Sequence, residues 1–164
     1  MTDAIEITIV MPCLNEAETL GKCIEKARLG IERSGVRGEI LVADNGSKDD
    51  SVRIAEQLGA RVVHVKEKEY GNALRGGIQA ASGKWIIMGD ADESYDFSES
   101  DRFVKKFQQG FELVAGIPDA FALLGTQYWP YAATKYLCPR RVQHHAVSNH
   151  VLCFVDVKRG PFKE

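Results

Sequence analysis

Asp90 and Asp92 stand one residue apart at the end of the apolar run Lys84-Trp85-Ile86-Ile87-Met88-Gly89, and no other pair in the chain is better suited to chemistry. A strand of that composition is buried on both faces and delivers its last residues past the edge of the sheet. Carboxylate oxygens suit hard cations such as Mg²⁺ or Mn²⁺. Mg²⁺ in particular is usually held by one or two protein carboxylates together with the phosphates of a substrate. The chemistry implied is binding of a ligand that carries a diphosphate. The plain alternative is that both acids serve an ordinary turn, where Asp is common.

Two further strands stop in the same way. Ile5-Glu6-Ile7-Thr8-Ile9-Val10-Met11 breaks at Pro12-Cys13-Leu14-Asn15-Glu16, and Glu39-Ile40-Leu41-Val42-Ala43 ends at Asp44-Asn45-Gly46-Ser47. Helical sequence follows each. The alternation predicts a parallel sheet with right-handed crossovers, all strand ends emerging on one edge. Ligands of open α/β sheets bind outside that edge. Positions near 12 to 16, 44 to 47, 67 to 72 and 90 to 92 are therefore expected to meet in one cleft.

The helices that position these ends carry their own punctuation. Asn15 with Glu18 reads as a cap for a helix running to about Ser34 and stopped by Gly35. Ser47 with Asp50 repeats the pattern, with Val52, Ile54, Ala55 and Leu58 inward before Gly59. Asn72 is expected to cap a helix from Ala73 to Ser82, closed by Gly83. Ser98 with Asp101 opens another, with Phe103, Val104 and Phe107 inward and Gly110 at its end. Arg61 to Lys66 reads as a third strand and Glu112 to Gly116 as a fifth.

At 164 residues the chain is long enough for one domain with a real core, and its net charge of −2 gives no reason to expect nucleic acid. No apolar run reaches the roughly 18 residues of a membrane span, and no leader pattern opens the chain, so a cytoplasmic place is expected. Cys13, Cys23, Cys138 and Cys153 lack Cys-x-x-Cys spacing and read as reduced thiols. Residues 1 to 114 hold 20 of the 23 acids and 15 of the 21 basic residues, whereas the rest carries a net +3 and three of the four histidines. Pro118, Pro130, Pro139 and Pro161 interrupt what periodicity remains there. His144, His145 and His150 lack the partners of a zinc site, and Arg140-Arg141 is too small a cluster for stable surface binding.

Four motifs in order, Met11-Pro12-Cys13-Leu14-Asn15-Glu16, Asp44-Asn45-Gly46-Ser47, Tyr70-Gly71-Asn72-Ala73-Leu74-Arg75-Gly76-Gly77 and Gly89-Asp90-Ala91-Asp92, resemble those of family 2 glycosyltransferases of the GT-A fold. The likeness is to the branch of dolichyl-phosphate mannose or glucose synthases and bacterial polyprenyl-phosphate glycosyltransferases, and it covers residues 5 to about 114. It implies an α/β, Rossmann-like nucleotide-sugar-binding fold with a mostly parallel sheet, incomplete at its C-terminus. It also implies inverting transfer of a sugar from a UDP- or GDP-linked donor to a lipid phosphate, aided by Mg²⁺ or Mn²⁺, in cell-envelope glycan synthesis.

By that resemblance Pro12, Leu14, Asn15, Glu16, Asp44, Asn45 and Gly46 would line the nucleoside, with Asp44 accepting from the base. Gly71, Asn72 and Arg75 would meet the phosphates, Asp90 and Ala91 would touch the ribose side, and Asp92 with Asp90 would hold the metal and form the catalytic pair. Each has a structural alternative: a helix cap for Asn15, a first-turn acid for Glu16, a turn for Gly71 and a solvated helix residue for Arg75. For Asp44 the alternative is an Asx turn with Gly46, which its strand-end position disfavours. Glu93 receives no role.

The expected organisation is a donor-binding half over 1–114 and a divergent, irregular tail over 115–164, for which a truncated or frame-shifted gene is one reading. The acceptor would be a lipid phosphate at a membrane surface, met by a chain with no membrane span of its own. A donor-binding remnant without transfer is the first rival reading. A Mg²⁺-binding signalling domain of the flavodoxin-like type is the second.

Overall fold

The computed structural model describes residues 4–110 and the strand Cys153–Asp156. The expected strand from Glu112 to Gly116, the tail histidines and Arg140-Arg141 lie outside them. In chain order the elements are β1 (Ile7–Cys13), α1 (Leu20–Ser34), β2 (Gly38–Asp44), α2 (Ser51–Gln57), β3 (Arg61–His64), α3 (Tyr70–Ala80), β4 (Trp85–Met88), a short 3₁₀ turn (Phe97–Glu99), α4 (Ser100–Gln108) and β5 (Cys153–Asp156).

The sheet order is β3-β2-β1-β4-β5. The first four strands are mutually parallel, and β5 pairs antiparallel with β4. This is the expected α/β arrangement with a mostly parallel sheet. Period-two alternation divides the core between two faces. Ile7, Ile9, Met11 and Cys13 of β1 join the buried cluster under α1, α2 and α4, while Val10 joins Leu41, Ala43, Ile86 and Met88 under α3. All four residues of β4 are buried, as the apolar run requires. Trp85 stacks on Phe107 with ring centroids 5.5 Å apart, tying α4 to the start of β4.

Strand order reverses around β1, with β2 on one side and β4 on the other, so the switch-point crevice opens between the ends of β1 and β4. The β1–β4 pairing stops at Val10, while the β1–β2 pairing continues through Pro12 to Cys13. The expected break of β1 at Pro12 is therefore corrected. Proline lacks an N–H, but one neighbour suffices to keep the strand extended, and the strand separates only from β4.

Three helix stops among the described residues follow the sequence, and the starts do not. Gly35, Gly59 and Gly110 all have positive φ, at 69°, 75° and 92°. Asn15 is not the cap of α1, which begins at Leu20 after Thr19; the carbonyl of Glu16 accepts from Leu20 N at 2.9 Å. Ser47 does not cap α2 either. That helix starts at Ser51, whose N–H and hydroxyl both go to Asp49 Oδ1.

The start of α3 is at Tyr70, so Asn72 lies within its first turn, and its side chain donates to the Lys68 carbonyl at 2.7 Å. The same helix ends at Ala80 and not at Ser82. The N–H groups of Ser82 and Gly83 are donated to Glu39 Oε1 and Thr8 Oγ1. Asp96 replaces Ser98 as the acceptor before α4, taking Ser98 N at 3.1 Å, and Asp101 pairs with Lys105 at 2.8 Å. Ala17 N, which a cap at Asn15 would hold, goes to Asp49 Oδ2, and the Asn72 side chain is spent on the Lys68 carbonyl.

Candidate functional site

The carboxyl ends of β1 to β4 carry loops that hydrogen-bond to one another in sequence. The first two loops are laced by four contacts. Asn15 N donates to Ser47 Oγ at 2.9 Å, Lys48 N to Asn15 Oδ1 at 2.8 Å, Glu16 N to Ser51 Oγ at 2.9 Å, and Ala17 N to Asp49 Oδ2 at 3.0 Å. Asn15 adopts φ 59°, a left-handed conformation that Asn tolerates better than most side chains. That geometry explains why it bridges loops and does not cap a helix.

The second loop is joined to the third through Asn45. Its Nδ2 donates to the carbonyls of Val65 and Glu67 at 3.2 and 2.7 Å, and its own carbonyl accepts Lys68 Nζ at 2.7 Å. Asn45 is buried while Glu67 and Lys68 are exposed, so these part-buried bonds tie the second loop to the third at the surface. Gly46 has φ 93°, and Lys68 Nζ occupies the space a side chain there would need.

Asp44 is 3% exposed. Its Oδ2 accepts Gly46 N at 3.1 Å and lies 3.1 Å from His64 Nδ1, and its Oδ1 accepts Ser47 N at 3.0 Å. The Asx turn that the strand-end argument disfavoured is thus present. Burial alone would raise the Asp44 carboxyl, but bonds from Ser47, His64 and Gly46 together outweigh it and hold the group below its usual range. His64 is directly opposite Asp44 in the β2–β3 register, a pairing that sequence reasoning missed. The only signal for it was a polar residue at the end of β3.

The third and fourth loops meet through Tyr70, whose hydroxyl donates to Asp90 Oδ1 at 2.7 Å. Ala91 is buried between the two acids, and Asp92 is exposed, with Oδ1 accepting Ser94 N at 2.9 Å. Glu93 adopts φ 65° and pairs with Lys22 of α1 at 3.1 Å, which holds the far side of this loop. The phenol of Tyr95 is pushed up to about 12 by burial and then by Asp90.

All four segments expected at one edge are there. Pro12 is buried within β1, Leu14 is 51% exposed at the mouth, and Glu16 is half-buried with its carbonyl committed to α1. Gly71 and Asn72 lie in the first turn of α3, and Arg75 is exposed one turn on. N–H groups of a first turn that the helix does not use favour anions, although Asn72 N is here committed to the Glu69 carbonyl at 3.1 Å. Ser51, Asp49, Lys68 and Tyr70 also build the edge, although the motifs gave them no role.

No group of three or more His, Cys, Asp or Glu side chains is arranged for a metal among the described residues. A cation at Asp90 and Asp92 would thus take one or two carboxylates and complete its shell from a ligand, as Mg²⁺ commonly does. The exposed Asp92, with one oxygen accepting a backbone N–H, fits that role. No helix among the described residues is long and apolar enough to cross a membrane.

Comparison with known proteins agrees with this geometry. The sequence pattern of glycosyl transferase family 2 matches residues 8–162. An uncharacterised glycosyltransferase of Mycobacterium tuberculosis is 36% identical over 127 residues, which cover 77% of this chain and 54% of that protein. An undecaprenyl-phosphate 4-deoxy-4-formamido-L-arabinose transferase of Enterobacter is 32% identical over 119 residues, 68% of this chain and 36% of the relative. The chain thus spans about half the length, or less, of these relatives. Among solved structures, glucosyl-3-phosphoglycerate synthase of M. tuberculosis in complex with Mn²⁺, UDP and glucosyl-3-phosphoglycerate superposes with a TM-score of 0.57 at 25% identity. That match covers 79% of this chain and 50% of the synthase.

Proposed function

Because this chain belongs to glycosyl transferase family 2, we propose that its strand-end cleft binds a nucleoside diphosphate sugar with Mg²⁺ or Mn²⁺ and serves inverting transfer of the sugar to a polyprenyl phosphate. The observation that carries the reading is the convergence of Asp90 and Asp92, the first turn of α3 and the Asn15–Asp44 loop pair at one edge, beside the β1–β4 switch point. A relative named for undecaprenyl-phosphate transfer and a structural neighbour holding Mn²⁺ with UDP support the choice of acceptor and donor.

The residues divide the work by position. The loops bearing Leu14, Asn15, Asp44 and Asn45 would receive the nucleoside, and the α3 N–H groups with Arg75 would attract the diphosphate. Asp90 and Asp92 would hold the cation, which when bound neutralises charge on the departing nucleoside diphosphate. A phosphate monoester has its second pKa at about 6, so a lipid phosphate is already a nucleophile near neutral pH and needs no strong base from the protein. The reaction would take place in the cytoplasm at the membrane face, where such an acceptor is presented.

Thermal unfolding of the purified chain with and without Mn²⁺, UDP and GDP, repeated on Asp92→Asn, tests the donor site. A nucleotide at about 100 times its Kd should stabilise by roughly 2.7 kcal/mol. A metal-dependent shift with one nucleotide, lost in the variant, is expected. A cooperative transition that no combination moves would sink the reading. Transfer of labelled sugar to undecaprenyl phosphate in detergent then tests the acceptor.

A further inference from the structure

Tyr70 is the first residue of α3 and the point at which the helix start, where the diphosphate is proposed to sit, touches the loop of the two acids. The residue is 58% exposed, an unusual place for a large aromatic side chain, while its hydroxyl reaches Asp90 Oδ1 at 2.7 Å. The backbone takes a costly route to put it there. Glu69, immediately before it, has φ 97° and ψ 144°, a region nearly reserved for glycine, and strain of this kind persists where the surrounding structure enforces it. The carbonyl of Glu69 then accepts Asn72 N and Ala73 N, each at 3.1 Å, so the strained residue both starts the helix and aims Tyr70 at the acid.

We propose that Tyr70 is a positioning residue for donor binding. Its phenol donates to one oxygen of Asp90, fixes the plane of that carboxylate and so aims the other oxygen, coupling the start of α3 to the acid loop. The inference rests on the donor-site reading and extends it to a residue that acts through Asp90. A hydrogen bond from phenol to carboxylate is of the charge-assisted kind, and it joins Tyr95, on the acid loop itself, in holding the Asp90 side chain. A phenol donates and a carboxylate accepts, so the groups themselves set the direction of the bond. On the opposite side the same loop is held by the Lys22–Glu93 pair, so that two helices on different faces of the sheet fix it between them.

Tyr70→Phe removes one oxygen from an exposed ring and should leave the unfolding midpoint of the ligand-free chain essentially unchanged. Calorimetric titration with UDP and GDP in Mn²⁺ is expected to show about tenfold weaker affinity for the nucleotide that the unaltered chain binds, the scale of one charge-assisted hydrogen bond. The Mn²⁺ concentration for half-maximal nucleotide binding should rise in parallel. In an Asp90→Asn background the same change should have almost no further effect, because the aimed carboxylate is gone. Undiminished affinity in Tyr70→Phe, or a loss that adds fully to that of Asp90→Asn, would overturn the positioning role while leaving the donor site standing. Failure of the unaltered chain to bind either nucleotide would instead overturn the donor-site reading, and this inference with it.

Discussion

Asn15 and Lys48 are 33 positions apart, yet the side-chain oxygen of Asn15 accepts the Lys48 backbone N–H at 2.8 Å. With the return bond from Asn15 N to Ser47 Oγ, this makes the ends of β1 and β2 one structural unit. Replacing Asn15 by Ala should remove the bond and place a less tolerant residue at φ 59°, at a combined cost of about 1–3 kcal/mol. Asn15→Asp, which keeps the acceptor and the tolerance, should cost clearly less. Urea unfolding of both variants decides it, and equal losses would show that the bridge is not what the position needs.

Two glycines of α3 should respond in opposite ways. A Cβ on Gly77 would come within 2.5 Å of Val10 Cγ1 and 3.1 Å of Ala43 Cβ, where the helix packs onto the sheet, whereas a Cβ on Gly71 would meet nothing within 4 Å. Gly77→Ala is expected to destabilise by about 1–3 kcal/mol through overpacking. Gly71→Ala should stabilise the ligand-free chain by about 0.5–1 kcal/mol, because alanine gives up less backbone freedom in a helix. Midpoints of chemical denaturation report both signs.

Asp44 should make the chain acid-sensitive. Its folded carboxyl lies below the ordinary value of 3.8, so the unfolded chain binds more protons in the window between the two. The stability it contributes is complete above the unfolded value and is lost as the pH falls through the lower folded one. Glu39, also held below its ordinary 4.5 by Arg61, Ser82 and Thr8 against the opposing effect of burial, adds to the same acid limb. Unfolding measured from about pH 5 down to pH 3 should show stability falling, with a shallower slope in Asp44→Asn. An unchanged slope would assign the acid limb to other groups.

Arg75 is exposed on the second turn of α3, and its proposed partner is the diphosphate. Arg75→Gln should therefore leave ligand-free stability within about 0.5 kcal/mol. Nucleotide affinity should fall, and its salt dependence should weaken, as expected when one cationic contact to phosphate is lost. If affinity in the variant matches that of the unaltered chain at both low and high salt, the residue is only a solvated part of the helix.

The sequence by itself determined what local composition controls. Unbroken apolar runs such as Trp85–Met88 had to be buried strands, Gly35, Gly59 and Gly110 had to end helices, and the strand-helix alternation required a parallel sheet whose ends share one edge. Those features follow from hydrophobic periodicity and from the freedom of glycine at positive φ, both of which are properties of short segments. The tertiary structure decided where the polar side chains of the loops spent their hydrogen bonds. Asn15, Ser47 and Asn72 each had a plausible local use as a cap, but Asn15 and Ser47 bond to each other's loops and Asn72 reaches back to Lys68. Asp44 with His64 and Asp90 with Tyr70 are likewise pairs 20 residues apart. A donor chooses among acceptors by what the completed fold brings within about 3 Å, and that distance is set only when β1, β2, β3 and β4 have taken their places in the sheet.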